Sequence, residues 1–235
     1  MKKQISTLGL TATLALAIGG SLFLAGNSVA EKAVPLPPAA YEQPAATSGA
    51  QTAIFAGGCF WGVQAVFQHT KGVINAVSGY AGGDKATANY GAVTRGTTGH
   101  AEAVEITYDP AQVSYAKLLQ IYFSVAHDPT QLNRQGPDRG TQYRSAIFYK
   151  DAQQKEVAQR YIAQLDAARA FPAKIVTQLA PLAAFHPAEA YHQDYATRNP
   201  QSPYIVTFDA PKIVNLKAVM PEVFRDKPVL VAARK

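Results

Sequence analysis

The stretch TAIFAGGCFWGVQAVF, residues 52–67, changes its period at the centre. Thr52 to Ala56 is a short apolar run suited to a buried strand, Gly57 and Gly58 punctuate it, and from Phe60 to Phe67 the apolar residues fall at helical spacing. A strand therefore turns into a helix at Cys59. A cysteine in the first turn of a helix meets aligned backbone N–H groups and the positive end of the helix dipole, and both favour thiolate over thiol. The glycine pair allows the tight turn and leaves room for a substrate to approach the sulfur. Phe60 and Trp61, the latter the only tryptophan of the chain, are placed to wall a small apolar pocket beside that nucleophile.

Working outward, β-branched and aromatic residues concentrate at Gly72 to Ser78, Ala101 to Tyr108, Arg144 to Tyr149 and Lys174 to Leu179, which predicts strands. Helices are expected at Ser114 to Val125, capped by Ser114, and at Asp151 to Arg169, opened by Asp151, with a short polar helix over Ala188 to Thr197. Strands and helices mixed in this order predict an α/β or α+β two-layer fold, though periodicity leaves the strand order open. The glycine-rich, polar segments 80–99 and 128–141 read as long loops, which in a compact domain usually carry function.

The N-terminus has a different composition. Lys2 and Lys3 precede an apolar stretch from Leu8 to about Ala25, then Ser28, Val29 and Ala30. That is the layout of a secretory signal peptide over 1–30, cleaved near Ala30, and it predicts a periplasmic or secreted protein. An uncleaved membrane anchor is the competing reading. Residues 31–50, rich in proline and alanine, read as a mobile linker before a single domain over 51–235. Removing Lys2 and Lys3 from 22 cationic against 16 acidic side chains lowers the formal net charge from +6 to +4. With no arginine-rich run or aromatic RNA-binding motif, no nucleic-acid partner is expected. A lone cysteine excludes an internal disulfide despite the expected export.

The segment Gly-Cys-Phe-Trp-Gly at 58–62 resembles the active-site signature of peptide methionine sulfoxide reductases of the A type. The resemblance continues in order through Gly79-Tyr80, Gly82-Gly83, Gly99-His100-Ala101-Glu102-Ala103-Val104, His127-Asp128-Pro129, Arg134-Gln135-Gly136, Gly140-Thr141-Gln142-Tyr143-Arg144-Ser145 and Ala188-Glu189-x-Tyr191-His192-Gln193. It implies a ferredoxin-like core with a mixed sheet and long active-site loops. It also implies reduction of the S epimer of free or protein-bound methionine sulfoxide, with Cys59 attacking sulfur and passing through a sulfenic acid. Glu102 matches the family's proton donor, a role that requires a raised pKa. On alternation alone, Glu102 shares a strand face with Val104 and lies opposite Ala103 and Glu105. Tyr90 and Tyr143 match the two phenols that hydrogen-bond the sulfoxide oxygen, and Asp138 matches an acidic residue of the substrate pocket.

Two departures from the family stand out. Many members carry a second cysteine near the C-terminus that resolves the sulfenic acid; here there is none, so an external thiol, a small molecule or a thioredoxin-like protein, is expected to do so. Gln64 stands where many members have glutamate, which removes a charge from the start of the helix. No bound cofactor is expected. His100-x-Glu102 lacks the paired cysteines of the zinc deaminases, and His186 and His192 lack metalloprotease spacing, so no metal is expected either. His192 reads as structural, His127 as an organiser of the loop before Asp138, and the tail beyond Tyr204 carries no assigned chemistry. A monomer is the default. A cysteine hydrolase with a histidine base, or a binder of oxidised methionine that does not turn it over, are the competing functions.

Overall fold

Strand β1 (Gln51–Ala56) runs straight into helix α1 (Phe60–Gln68), as the change of period requires. The computed structural model describes residues 32–42 and 49–231; the expected export segment lies outside the described residues, as do 31, 43–48 and 232–235. After α1 come β2 (Val73–Ala81), the short α2 (Tyr90–Val93), β3 (Ala101–Tyr108) and α3 (Tyr115–Ile121). A small hairpin, β4 (Arg134–Gln135) and β5 (Asp138–Arg139), precedes β6 (Ala146–Tyr149) and α4 (Ala152–Ala167). The chain continues through β7 (Gln178–Pro181), β8 (Phe185–Pro187), α5 (Tyr195–Arg198) and α6 (Ala210–Val219).

The main sheet has the order β7-β6-β1-β3-β2-β8. Its neighbours pair antiparallel except β6 and β7, which are parallel, so the sheet is mixed. Strands β1 and β2 flank β3, with α1 joining them, and β3 and β6 flank β1, joined through α3; two interlocked split βαβ units of this kind make a ferredoxin-like core. Side chains alternate across it. Ala53, Phe55, Val104 and Ile106 face the layer formed by α1, α3 and α4. Ile54, Ala56, Ala101, Ala103 and Phe148 face the other way, where Leu182, from the β7–β8 connection, and Phe185 of β8 pack on them.

The caps are where the sequence puts them: Ser114 Oγ accepts from Lys117 N at 3.1 Å and an Asp151 carboxylate oxygen from Gln154 N at 2.8 Å. Other boundaries differ. The strand expected at Lys174–Leu179 begins only at Gln178, because Ile175 N donates to Asp166 Oδ1 and Val176 N to Pro129 O, so those groups never join the ladder. Helix α3 ends at Ile121 and widens into a π-type turn over Tyr122–Ala126. The polar helix expected over 188–197 is divided into a 3₁₀ turn at Ala190–His192 and α5, separated by Asp194 in the left-handed region at φ 56°.

The described part of the expected linker is packed on the domain: residues 32–42 form a strap across α3 and α4. Leu36 is buried in the main core, and its carbonyl accepts from Gln120 Nε2 at 2.7 Å. Tyr161 OH reaches Pro37 O at 2.8 Å, Gln164 binds the backbone at both Pro38 and Ala40, and the Arg160 guanidinium covers the Tyr41 ring. The prolines that suggested a linker supply an extended backbone whose carbonyls helix side chains satisfy. Leu36→Ala is expected to lower the unfolding free energy by about 2 kcal/mol in urea titration; a dangling linker predicts no change.

Candidate active site

The site is built on the unsatisfied N–H groups at the start of α1. Gly58, at φ 85°, turns the chain out of β1, and a Cβ there would sit 2.5 Å from the Gln135 side chain. Cys59 follows as the N-cap residue. Its own side chain does not cap; the Phe60 N–H instead donates to Glu102 Oε2 at 3.0 Å, and the Trp61 N–H points at the Cys59 sulfur. Nucleophile and carboxyl thus meet adjacent peptide groups at one helix terminus, and the carboxyl is held there by its hydrogen bond.

Cys59 does not rest as the thiolate expected from its helix position. Burial pushes the thiol well above its ordinary value, the charges of Glu102, Asp209 and Asp138 push the same way, and the Trp61 N–H opposes them. Desolvation and neighbouring carboxyls outweigh one helix terminus. The thiol must give up its proton during reaction.

Glu102 sits on the helix-facing side of β3, paired across the ladder with Tyr80 and 2% exposed. Burial raises its pKa to about 8; the Phe60 N–H lowers it, and Asp138 and Asp209 raise it. At neutral pH it is a carboxylic acid with a proton to give.

All seven residues singled out from the sequence meet at one open cleft of about 200 Å³: Cys59, Phe60, Trp61, Tyr90, Glu102, Asp138 and Tyr143, joined by Tyr204. That is smaller than the ~300–1,000 Å³ of sites for drug-sized molecules, and suits one side chain. Tyr90 opens α2, held by its N–H on Glu189 Oε1 at 2.9 Å, while Tyr80 OH binds Glu189 Oε2 at 2.9 Å. Tyr143 ends the 3₁₀ turn Thr141–Tyr143, next to Arg144, whose guanidinium binds Gly99 O, His100 O and Thr141 O and so ties the two long loops together. Burial raises the pKa of both phenols, which keeps them protonated donors. Trp61 stacks on Tyr195 at 3.7 Å, and its Nε1 donates to His192 Nδ1 at 3.2 Å. The Asp138 Oδ2 accepts from Tyr204 OH, a protein partner where substrate or water was expected.

Several residues outside the expected set shape the site. Tyr204 enters the cleft, and the tail beyond it, to which no chemistry was assigned, lines a second, small chamber beyond Cys59 with Phe208 and Lys212. Its apolar periodicity gave no sign of this. Gln64 is buried, donating to Ala76 O and Gln193 Oε1 and accepting from Asp194 N, so an amide is needed where a carboxylate has nothing to donate. His127 lies under the turn rather than in the Asp138 loop. It binds Tyr122 O and Ser145 Oγ, and burial holds its pKa down at about 3, so it is neutral. No histidine lines the cleft, which leaves the hydrolase reading without its base. Among the described residues no group of three or more His, Cys, Asp or Glu is arranged to hold a metal ion.

Fold and site together define a cysteine-based oxidoreductase whose acid arrives already protonated. A family model for peptide methionine sulfoxide reductase matches residues 51–222. A peptide methionine sulfoxide reductase of Mesorhizobium japonicum is 62% identical over 186 residues, 79% of this chain and 95% of the relative; one of Synechocystis is 51% identical over 201 residues, 85% and 92%. Among solved structures, methionine sulfoxide reductase A of Corynebacterium diphtheriae (36% identity, TM-score 0.56) covers 74% of this chain and 90% of its own. Reduced Mxr1 of Saccharomyces cerevisiae (32%, TM-score 0.60) covers 68% and 91%. The chain belongs to the peptide methionine sulfoxide reductase family, A type, and reduces methionine S-sulfoxide by cysteine thiol chemistry.

The raised pKa of Glu102 ties stability to pH. Between the ordinary value of 4.5 and about 8 the folded state binds a proton the unfolded state has lost, so stability falls as pH rises through that window. Glu102→Gln keeps an acceptor for Phe60 N–H and removes that loss. The variant is expected to gain on the order of 4 kcal/mol relative to the parent between acidic and alkaline pH, read by denaturant titration at several pH values, while losing at least about 100-fold in turnover.

Proposed function

We propose that the chain repairs oxidised methionine side chains of peptides and proteins outside the cytoplasm, and that Cys59 is regenerated by an external thiol. The observation that carries the mechanism is that Cys59 sits at the start of α1 beside a protonated Glu102 held by the Phe60 N–H, both facing one small cleft.

In this reading Phe60 and Trp61 receive the methyl group and side chain of the sulfoxide, and Tyr90 and Tyr143 donate hydrogen bonds to its oxygen. Asp138, held by Tyr204, orients the substrate at the rim. Cys59 attacks the substrate sulfur as Glu102 delivers its proton to the oxygen, which would otherwise leave as a strongly basic oxide. The proton lost by the Cys59 thiol returns to the Glu102 carboxylate. The protonated oxygen leaves the substrate sulfur and bonds to the Cys59 sulfur as the new sulfur–sulfur bond breaks, so Cys59 is left as a sulfenic acid, methionine is released, and two electrons have passed from the enzyme sulfur to the substrate. Because Cys59 is the sole cysteine, two equivalents of an outside thiol follow: the first displaces water to form a mixed disulfide, and the second restores Cys59. A thioredoxin-like protein or a small-molecule thiol fits this role. The basic and apolar residues of 1–30 support export, and a monomer suffices because every group in the mechanism comes from one chain.

Supplied with excess dithiothreitol and separated epimers of a blocked methionine sulfoxide, residues 31–235 are expected to convert the S epimer alone. Cys59→Ser is expected to fall to background and Tyr143→Phe to lose about 100-fold in kcat. Conversion of S epimer by a folded Cys59→Ser protein contradicts the mechanism.

A further inference from the structure

The segment after β8 reaches the site through one carboxylate. Glu189 Oε1 accepts from the Tyr90 N–H and Glu189 Oε2 from the Tyr80 hydroxyl, both at 2.9 Å. The two partners belong to different parts of the site. Tyr80 lies wholly buried in β2, directly across the ladder from Glu102, with its ring 5.9 Å from that of Phe60. Tyr90 opens α2, a single helical turn, and is 36% exposed. A helix start leaves backbone N–H groups open. Asn89 Oδ1 takes that of Ala92 at 3.0 Å, and Glu189 takes that of Tyr90 from 99 residues further along the chain. The Tyr90 ring rests 4.5 Å from His192, in the 3₁₀ turn that Glu189 begins. The far end of the same segment is tied elsewhere: Thr94 O accepts from Gln142 Nε2 at 3.2 Å and Gly96 O from Thr141 Oγ1 at 2.9 Å, within the turn that bears Tyr143.

We infer that Glu189 is a positioning residue, a clamp between α2 and β2 that keeps the Tyr90 hydroxyl in place at the sulfoxide oxygen, in register with Glu102. A hydrogen-bond donor stabilises developing charge most when it is already in place, because moving it during the reaction gives back part of the gain. Tyr143 has its turn anchored by the Arg144 guanidinium. Tyr90 sits on one helical turn, which has no stability of its own, and its ring is open to solvent on one side. The carboxylate supplies the missing constraint. One oxygen fixes the backbone that carries the phenol, and the other fixes the same carboxylate to the strand residue opposite the acid. Glu189 does not itself line the cleft, so it acts through Tyr90. The clamp serves the step in which the sulfoxide oxygen takes the proton of Glu102, when charge builds on that oxygen.

The inference rests on the role given to Tyr90 in the mechanism above, and a double-mutant cycle separates the two. The readout is the single-turnover rate of methionine formation by the reduced protein, before any outside thiol recycles Cys59. Glu189→Ala is expected to slow this step about tenfold, with the half-saturating substrate concentration changed by less than about twofold. Glu189→Gln is expected to stay within about twofold of the parent, since its amide oxygen still accepts from the Tyr90 N–H while its amide NH₂ donates to the Tyr80 hydroxyl. Tyr90→Phe is expected to slow the step at least as much as Glu189→Ala, and adding Glu189→Ala to it is expected to cost nothing further. Equal losses from Glu189→Ala in the parent and in Tyr90→Phe overturn the inference and leave the mechanism standing. A Glu189→Gln protein as slow as Glu189→Ala makes charge rather than the clamp responsible, and overturns it as well. A Tyr90→Phe protein with the parent rate removes Tyr90 from the mechanism, and the inference falls with it.

Discussion

Two adjacent peptide N–H groups at the start of α1 decide what this protein can do. One points at the Cys59 sulfur and the next-door group binds Glu102 Oε2. A helix N-terminus has more donors than its own carbonyls can use, and here they are divided between the nucleophile and the acid. The division answers a chemical difficulty: the reaction needs an attacking sulfur and a proton source within one side chain's reach, without the two neutralising each other at rest. Burial achieves this by raising both pKa values, so both groups wait in their protonated forms.

Much of the remaining structure holds that terminus still. Beneath the turn, neutral His127 and the Tyr122 hydroxyl, which binds Ala56 O at 2.7 Å, fix the end of β1. On the flank, buried amides make the connections. Gln64 and Gln193 join α1 to β2 and to the 188–194 segment, and Gln68 binds Asp194 Oδ1 at 2.7 Å. Amides both donate and accept, so they satisfy the buried Asp194 carboxylate and the backbone groups around it at once. The strap over α3 and α4 and the tail over α1 add contacts that the ferredoxin-like core lacks on its own.

The strand-to-helix switch at Cys59 and the two caps were legible because each depends on neighbours within a few residues; alternation gave which residues share a face with Glu102, but not that the face is buried. Cys59, Phe60, Trp61, Glu102 and Tyr143 were legible through ordered motifs and Tyr90 through its spacing to Glu102, and folding brings the seven cleft residues together from five separate segments. What could not be read was decided by contacts across long separations. Tyr204 meets Asp138, Asp209 meets Gly62, and Leu36 enters a core made by helices more than eighty residues away. Proline-rich composition suggested a linker because local propensity says nothing about which carbonyls a distant helix will satisfy. The helix dipole at Cys59 was read correctly as a local effect and overruled by desolvation, which only the folded chain determines.

The central claim is that Glu102 holds a proton at neutral pH while bound to Phe60 N–H. Carbon-13 NMR of protein labelled at the glutamate side-chain carboxyls, with Glu102 assigned by its absence in Glu102→Gln, follows that one titration directly. The account predicts a midpoint of about 8. A midpoint near the ordinary 4.5 means that Glu102 is already ionised where the enzyme works, and contradicts its role as the acid.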